Sequence, residues 1–163
     1  MNKAHVERDP KDDFSRQVFD VLRAGDAVTV LGPWGDFVLR ADSPRPILFV
    51  ASEAGFAPVK GLVEHTMSLD RAELLHLYWH AARPAGHYLV NLCRAWADAL
   101  DNFRYTTMAG GGAGDIVARM ARDHADLAAF DVYLAGPEAF VDGAAKALAQ
   151  QGFPAAQLVA TAT

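Results

Sequence analysis

From Ile47 onward the chain alternates short apolar runs with helical stretches, beginning and ending on a strand. Few patterns leave a chain so little choice. Strands separated by helices pair in parallel, and a parallel sheet needs both of its faces covered. The runs predicted as strands are Ile47–Ser52, Leu74–Trp79, Phe103–Met108, Asp131–Ala135 and Gln157–Ala160. The helices predicted between them are Pro58–Met67, Tyr88–Leu100, Asp115–His124 and Glu138–Gln150. Pro58 suits a first helical turn, where its missing N–H costs nothing. The fold class is therefore α/β, a parallel sheet with right-handed crossovers and helices on both faces. Such sheets bind ligands beyond the carboxyl ends of their strands, where the strand order reverses.

The stretch before this pattern is different. Phe14, Val18, Val21 and Leu22 share one face of a short predicted helix, with Ser15 or Asp13 as its cap and Gly25 as a left-handed stop. Ala27–Leu31 and Phe37–Arg40 read as strands around a Gly32-Pro33-Trp34-Gly35 turn. A helix and two short strands cannot close a barrel. Ser43-Pro44-Arg45-Pro46 reads as a linker, which divides the chain into residues 1–44 and 45–163.

Two strand-to-helix turns fall on the same edge of the predicted sheet. One is Ser52-Glu53-Ala54-Gly55-Phe56-Ala57-Pro58, and the other is Gly136-Pro137. In dinucleotide folds such a turn holds a diphosphate on backbone N–H groups at the helix start. Glycine lets the backbone approach the phosphates, and here only Gly55 supplies it in the first turn. Ordinary connecting loops remain the alternative at both places. The glycine-rich run Ala109–Gly114 reads as a surface loop, because no lysine or serine follows in phosphate-loop order.

Other chemistries find less support. His76 and His80 share a strand face, but no Cys or His pair has zinc spacing, so no metal site is expected. No nucleophile elbow is present, and no catalytic residue is assigned. The net charge of −5 disfavours phosphate backbones, so nucleic acid is not an expected partner. One cysteine, Cys93, allows no internal disulfide and fits a reducing compartment. With no apolar leader and no run long enough for a bilayer, the chain is expected in the cytoplasm, away from membranes.

Five short motifs occur in a recognisable order: Gly25-Asp26, Gly-Pro-x-Gly-x-Phe (32–37), Ala-Ser-x-x-Gly-Phe-Ala-Pro (51–58), Leu-Tyr-Trp (77–79) and Asp-Val-Tyr-Leu-x-Gly-Pro (131–137). In this the chain resembles the ferredoxin–NADP⁺ reductase-like family, and among its branches the flavin reductases and oxygenase reductase components. The resemblance runs from about Phe14 to Val159. It implies a five-stranded parallel NAD(P)H domain beside an antiparallel FAD barrel, with hydride passing from nicotinamide to flavin. It further implies that Ser52, Glu53, Ala54, Gly55, Phe56, Ala57 and Pro58 hold the NAD(P)H diphosphate. Arg83 then lies by the adenosine, Gly136 and Pro137 by the nicotinamide, and Ser15 by the FAD diphosphate.

The departures from the family pattern are specific. Its flavin-binding Arg-x-Tyr-Ser motif has no equivalent here, so residues 1–44 are expected to be a remnant of the barrel. Glu53-Ala54 stand where the family usually has Gly-Thr, Ala82 replaces an adenosine-contacting arginine, and Ala135 replaces a frequent cysteine. The implied function is the NAD(P)H-binding portion of a flavin-dependent oxidoreductase. FAD would be held weakly or not at all by this chain alone, and a flavin-binding or redox protein is an expected partner. The alternatives are a drifted, non-catalytic nucleotide-fold module and a truncated reductase. Apolar residues Val18, Phe19, Val28 and Trp34 are expected to be exposed and to favour a homo-oligomer.

Overall fold

The structure is a computed structural model that describes residues 6, 8–29, 35–40, 42–69 and 73–163. It divides into two compact units, one ending at Asp36 and the other spanning Phe37–Thr163.

In the first unit a short helix, α1 (Asp13–Arg16), runs on into a π-type turn at Gln17–Val21. Its cap is Asp12, whose carboxylate accepts from the Ser15 N–H at 2.7 Å, and not Ser15 or Asp13 as expected. The Ser15 hydroxyl is spent elsewhere, accepting from the Asp9 N–H at 2.8 Å. Arg8 pairs with Asp20 at 2.6 Å and lies over the Phe19 ring. Gly25 has a φ of +101°, as a left-handed stop requires, but the helical turns end earlier, at Val21. Of the apolar face predicted for this helix, Phe14 and Val21 are exposed and Val18 and Leu22 half-buried; Phe19 and Val28 are exposed as expected, whereas Val18, also expected to be exposed, is not. Ala27–Thr29 form no strand; the remainder of the strand predicted over 27–31 lies outside the described residues, as do Gly32, Pro33 and Trp34.

The second unit is built on five parallel strands: β1 (Ile47–Ser52), β2 (Leu75–Ala81), β3 (Phe103–Ala109), β4 (Asp131–Gly136) and β5 (Leu158–Ala162). They lie in the order β3-β2-β1-β4-β5. β1 is central, pairing with β2 from Ile47↔Leu75 to Ser52↔His80 and with β4 from Ile47↔Asp131 to Ala51↔Ala135. Every residue of β2 and β4 is buried, as expected where helices cover both faces.

Four helices provide that cover: α2 (Phe56–Leu69), α3 (Val90–Ala99), α4 (Ala113–Asp123) and α5 (Glu138–Gln150). On one face Phe56, Val59 and Val63 of α2 and Cys93 of α3 pack on Phe49, Leu77, Trp79 and Tyr133. On the other, Ile116, Val117 and Met120 of α4 and Ala144 and Leu148 of α5 pack on Leu48, Val50, Tyr78 and Leu134. Burying each large side chain is worth about 1.5–3 kcal/mol, so the two cores together fix which way every strand faces.

Phe37–Arg40, expected as a strand, forms no strand and has no sheet partner among the described residues. Side-chain contacts hold it instead. The Arg40 N–H donates to the Tyr133 hydroxyl at 2.8 Å, and Phe37 meets the Tyr133 ring edge-on at 6.2 Å. Arg40 and Arg45 approach the buried Asp131 carboxylate at 3.6 and 3.9 Å. Among the described residues Asp131 Oδ1 has no direct hydrogen bond, so this is charge pairing at a distance.

Candidate functional site

Both β1 and β4 end at the place where the strand order reverses. β2 and β3 follow β1 to one side; β4 and β5 lie on the other. The segments leaving β1 and β4 must therefore diverge to opposite faces, which opens a crevice at their carboxyl ends. Ser52 and Gly136 stand at its floor, as the last residues of the two strands.

The two turns touch closely. A Cβ on Gly55 would lie 2.2 Å from the Ala135 carbonyl oxygen, and a Cβ on Gly136 would lie 2.8 Å from the Ser52 Cβ. Glycine at each position is thus a packing requirement. Both following helices start without a side-chain cap. Ser52 precedes the turn of 3₁₀ helix at Glu53–Gly55 that leads into α2 and makes no capping bond; Pro137 precedes α5 and makes none. Uncapped starts leave partial positive charge and N–H groups directed at the crevice. Phe56 is fixed by stacking on Trp79 at 3.8 Å, and Pro58 sits within the first turn of α2. Ala54 and Ala57 contribute backbone and a methyl group only, which leaves room at the turn.

Glu53, implied by the resemblance to be one of the diphosphate-holding residues, has its carboxylate engaged by the loop after β2. Its φ is +50°, a left-handed conformation that favours glycine. That backbone turns the side chain across to β2, where Oε1 accepts from the Ala82 N–H. Arg83 is exposed in the same loop, just before the 3₁₀ turn Pro84–Gly86. Ser15 is in the other compact unit, and its hydroxyl is engaged by Asp9.

Sequence reasoning did not foresee the partner of Ser52. Its Oγ is hydrogen-bonded to His80 Nδ1 at 3.0 Å, and both residues are buried. His80 stacks on Phe140 of α5, and its Nε2 is buried with no partner among the described residues. The only advance signal was that Ser52 ends its predicted strand and His80 follows directly on the one predicted to end at Trp79.

The Ala109–Gly114 run is a tight turn. Gly110 and Gly111 have φ near +75°, and the Gly112 N–H donates to Asp115 Oδ2 at 2.8 Å. A carboxylate in that place satisfies the turn internally, in keeping with a loop. At the amino end of the sheet, His76 hydrogen-bonds His124 and Thr106, each at 3.0 Å. Burial, and then His124, push the His76 imidazole down to about 4. Tyr78 donates to Asp123, and burial together with that bond raises its hydroxyl well above the usual phenol range. Burial raises the Asp123 carboxyl, but bonds from Arg119 and Tyr78 outweigh it and hold the group low. Among the described residues no three His, Cys, Asp or Glu side chains converge as metal ligands.

Comparison with known proteins agrees with this geometry. Residues 49–146 match the family described as the oxidoreductase NAD-binding domain. The chain is 31% identical to the CDP-6-deoxy-L-threo-D-glycero-4-hexulose-3-dehydrase reductase of Yersinia pestis, over 86% of this chain and 44% of that protein. It is 25% identical to the reductase component of propane 2-monooxygenase from Rhodococcus jostii, over 94% and 45%. The chain thus spans somewhat under half the length of these curated relatives. Among solved structures, the flavohem-like FAD/NAD-binding domain of a nitric oxide dioxygenase from Vibrio cholerae superimposes with a TM-score of 0.78 at 17% identity, covering 97% of this chain and 69% of that one. That likeness shows a shared fold, and the matched family covers both turns of the crevice. The chain belongs to the oxidoreductase NAD-binding domain family.

Proposed function

We propose that this chain is the NAD(P)H-binding portion of a flavin-dependent oxidoreductase, in which reducing equivalents leave for a partner protein. The single observation that supports it most is the crevice at the switch point, with two glycine-packed turns and two uncapped helix starts. A dinucleotide's diphosphate matches those features in charge and in its need for close backbone approach. When bound, NAD(P)H supplies a hydride to the flavin. The chain's own part is to bind and orient it. The amides around Ala54, Gly55, Phe56, Ala57 and Pro58 would hold the diphosphate, with Ser52 forming the floor and Glu53 and Arg83 flanking the adenosine side. Gly136 and Pro137 would border the nicotinamide.

FAD is the expected acceptor, and the printed description of the similarly folded FAD/NAD-binding domain of the Vibrio cholerae nitric oxide dioxygenase supports it. The described residues are poorly suited to hold it. Asp12 caps α1 and Asp13 stands in its first turn, so two carboxylates lie beside Ser15, where the FAD diphosphate is expected. No step is therefore assigned to a flavin on this chain. The division into a flavin-side segment, residues 1–44, and a nucleotide-binding segment, residues 45–163, belongs to the same proposal. So do a redox partner, self-association through the exposed Phe19 and Val28 of the expected apolar patch, and a cytoplasmic location. No helix among the described residues is long and apolar enough to cross a membrane. A drifted, non-binding module is not favoured, because the family match includes both turns.

Calorimetric titration of the full chain with NADH and NADPH tests the proposal. Saturable heat with at least one nucleotide below millimolar concentration is expected. No heat from either at millimolar concentration refutes it.

A further inference from the structure

We propose that Glu53 selects NADH over NADPH by presenting its carboxylate to the adenosine ribose at the carboxyl end of β2. The inference rests on the dinucleotide-binding function above and assigns its nucleotide preference.

Three observations converge on Glu53. Its left-handed backbone directs the side chain sideways from the β1 turn to the neighbouring strand. Oε1 is anchored there by the Ala82 N–H, and Oε2 has no hydrogen-bond partner among the described residues. Gly86 makes room for the group: a Cβ at that position would lie 3.3 Å from Oε2 and 2.7 Å from the Ala81 Cβ. The carboxylate is therefore fixed in place with acceptor capacity to spare.

Its place is the significant point. When a dinucleotide lies across a switch point with its diphosphate at the helix after β1, its adenosine ribose falls over the end of β2. An acidic side chain there accepts hydrogen bonds from the ribose hydroxyls. Between Glu73 and Asp98 this chain has no acidic residue, so the loop after β2 supplies none of its own. Glu53 brings one in from the adjacent turn.

A 2′-hydroxyl donates to such a carboxylate; a 2′-phosphate, with nearly two negative charges, is repelled by it. Across about 5 Å at a water-like dielectric the repulsion amounts to roughly tenfold in affinity. Arg83 is the opposing charge in the loop. It is exposed and makes no ion pair among the described residues, so recruiting it to a phosphate requires ordering a long side chain. The carboxylate is already held.

The test is calorimetric titration of the full chain and of Glu53→Gln with NADH and NADPH at one ionic strength. Glutamine keeps an oxygen for the Ala82 N–H and removes the charge. The wild type is expected to bind NADH about tenfold more tightly than NADPH. In Glu53→Gln the two affinities should come within about twofold, mainly through tighter NADPH binding. Glu53→Gly, which suits the positive φ, is the second variant if the first folds poorly, and the same loss of discrimination is expected. A ratio unchanged by either substitution, or a wild type that prefers NADPH, overturns the proposal. Binding of both nucleotides without discrimination removes the selector and leaves the site standing. Binding of neither by any form removes both.

Discussion

Replacing Gly55 with alanine tests whether the β1 turn is locked against β4 by backbone contact. The new Cβ would lie 2.2 Å from the Ala135 oxygen, 2.4 Å from the Ala135 carbon and 2.5 Å from the Gly136 nitrogen. All three are backbone atoms at the end of β4, and Ala135 is paired with Ala51 of β1. No rotamer can relieve the overlap. The turn and the end of β4 must separate by roughly 1 Å to reach ordinary contact, which strains the central ladder. Overpacking of this kind costs about 1–3 kcal/mol, and a clash wholly with backbone belongs at the upper end. For a domain of this size about 3 kcal/mol lowers Tm by roughly 6–12 °C. Gly61 supplies the contrast. It lies within α2, and a Cβ there meets nothing within 4 Å among the described residues. Gly61→Ala should stabilise by about 0.5–1 kcal/mol through helix propensity alone. Circular-dichroism melts of the two variants should move Tm in opposite directions. A Gly55→Ala protein melting within about 2 °C of wild type would show that the two turns do not pack as described.

Two further outcomes follow from buried titratable groups. His76 is held neutral, with its ring pushed down to about 4, whereas an unfolded histidine titrates near 6.5. Between those values the unfolded chain binds a proton that the folded chain refuses. Stability is therefore complete above about 6.5 and falls as the pH drops towards 4, by on the order of 3 kcal/mol. Urea unfolding at several pH values should show that slope and should lose most of it in His76→Gln; an equally steep profile in the variant would contradict the assignment. Cys93 is buried in α3, and burial pushes its thiol up to about 12. A maleimide probe at pH 8 should label it only after denaturation, and rapid labelling of the folded chain would mean that α3 is not seated as described.

The sheet was legible because its signal is physical and local. β1 and α5 match their predicted bounds to the residue, since Ile47–Ser52 is an apolar run that starts after Pro46 and Glu138 follows directly on Pro137. α2 starts at Phe56, two residues before the proline that marked it, because a proline is tolerated anywhere in a first turn. Phe37–Arg40 has strand-like composition but pairs with no strand among the described residues, and a pairing partner is not a property of the segment itself. At the site, the turns were legible as motifs and the side-chain directions were not. Ser52 meets His80 only because two strands 28 residues apart in sequence lie in one register. Glu53 turns away from the helix start because of the sign of one backbone angle, which no composition or spacing reveals. The cap at Asp12 was missed because Asp13 and Ser15 are equally good capping residue types.

The central place of β1 also has a kinetic consequence. Its partner on one side, β2, follows after a single helix, but its partner on the other, β4, arrives only after α2, β2, α3, β3 and α4 have been made. During synthesis the Ile47–Ala51 edge is therefore an unpaired, wholly apolar ladder that waits for Asp131–Ala135. Closing so long a loop is slow, and an open edge of this composition invites pairing with another nascent chain. Aggregation during refolding should thus originate at that edge, and substitutions that hasten the docking of β4 should raise the yield of native protein without altering the finished sheet.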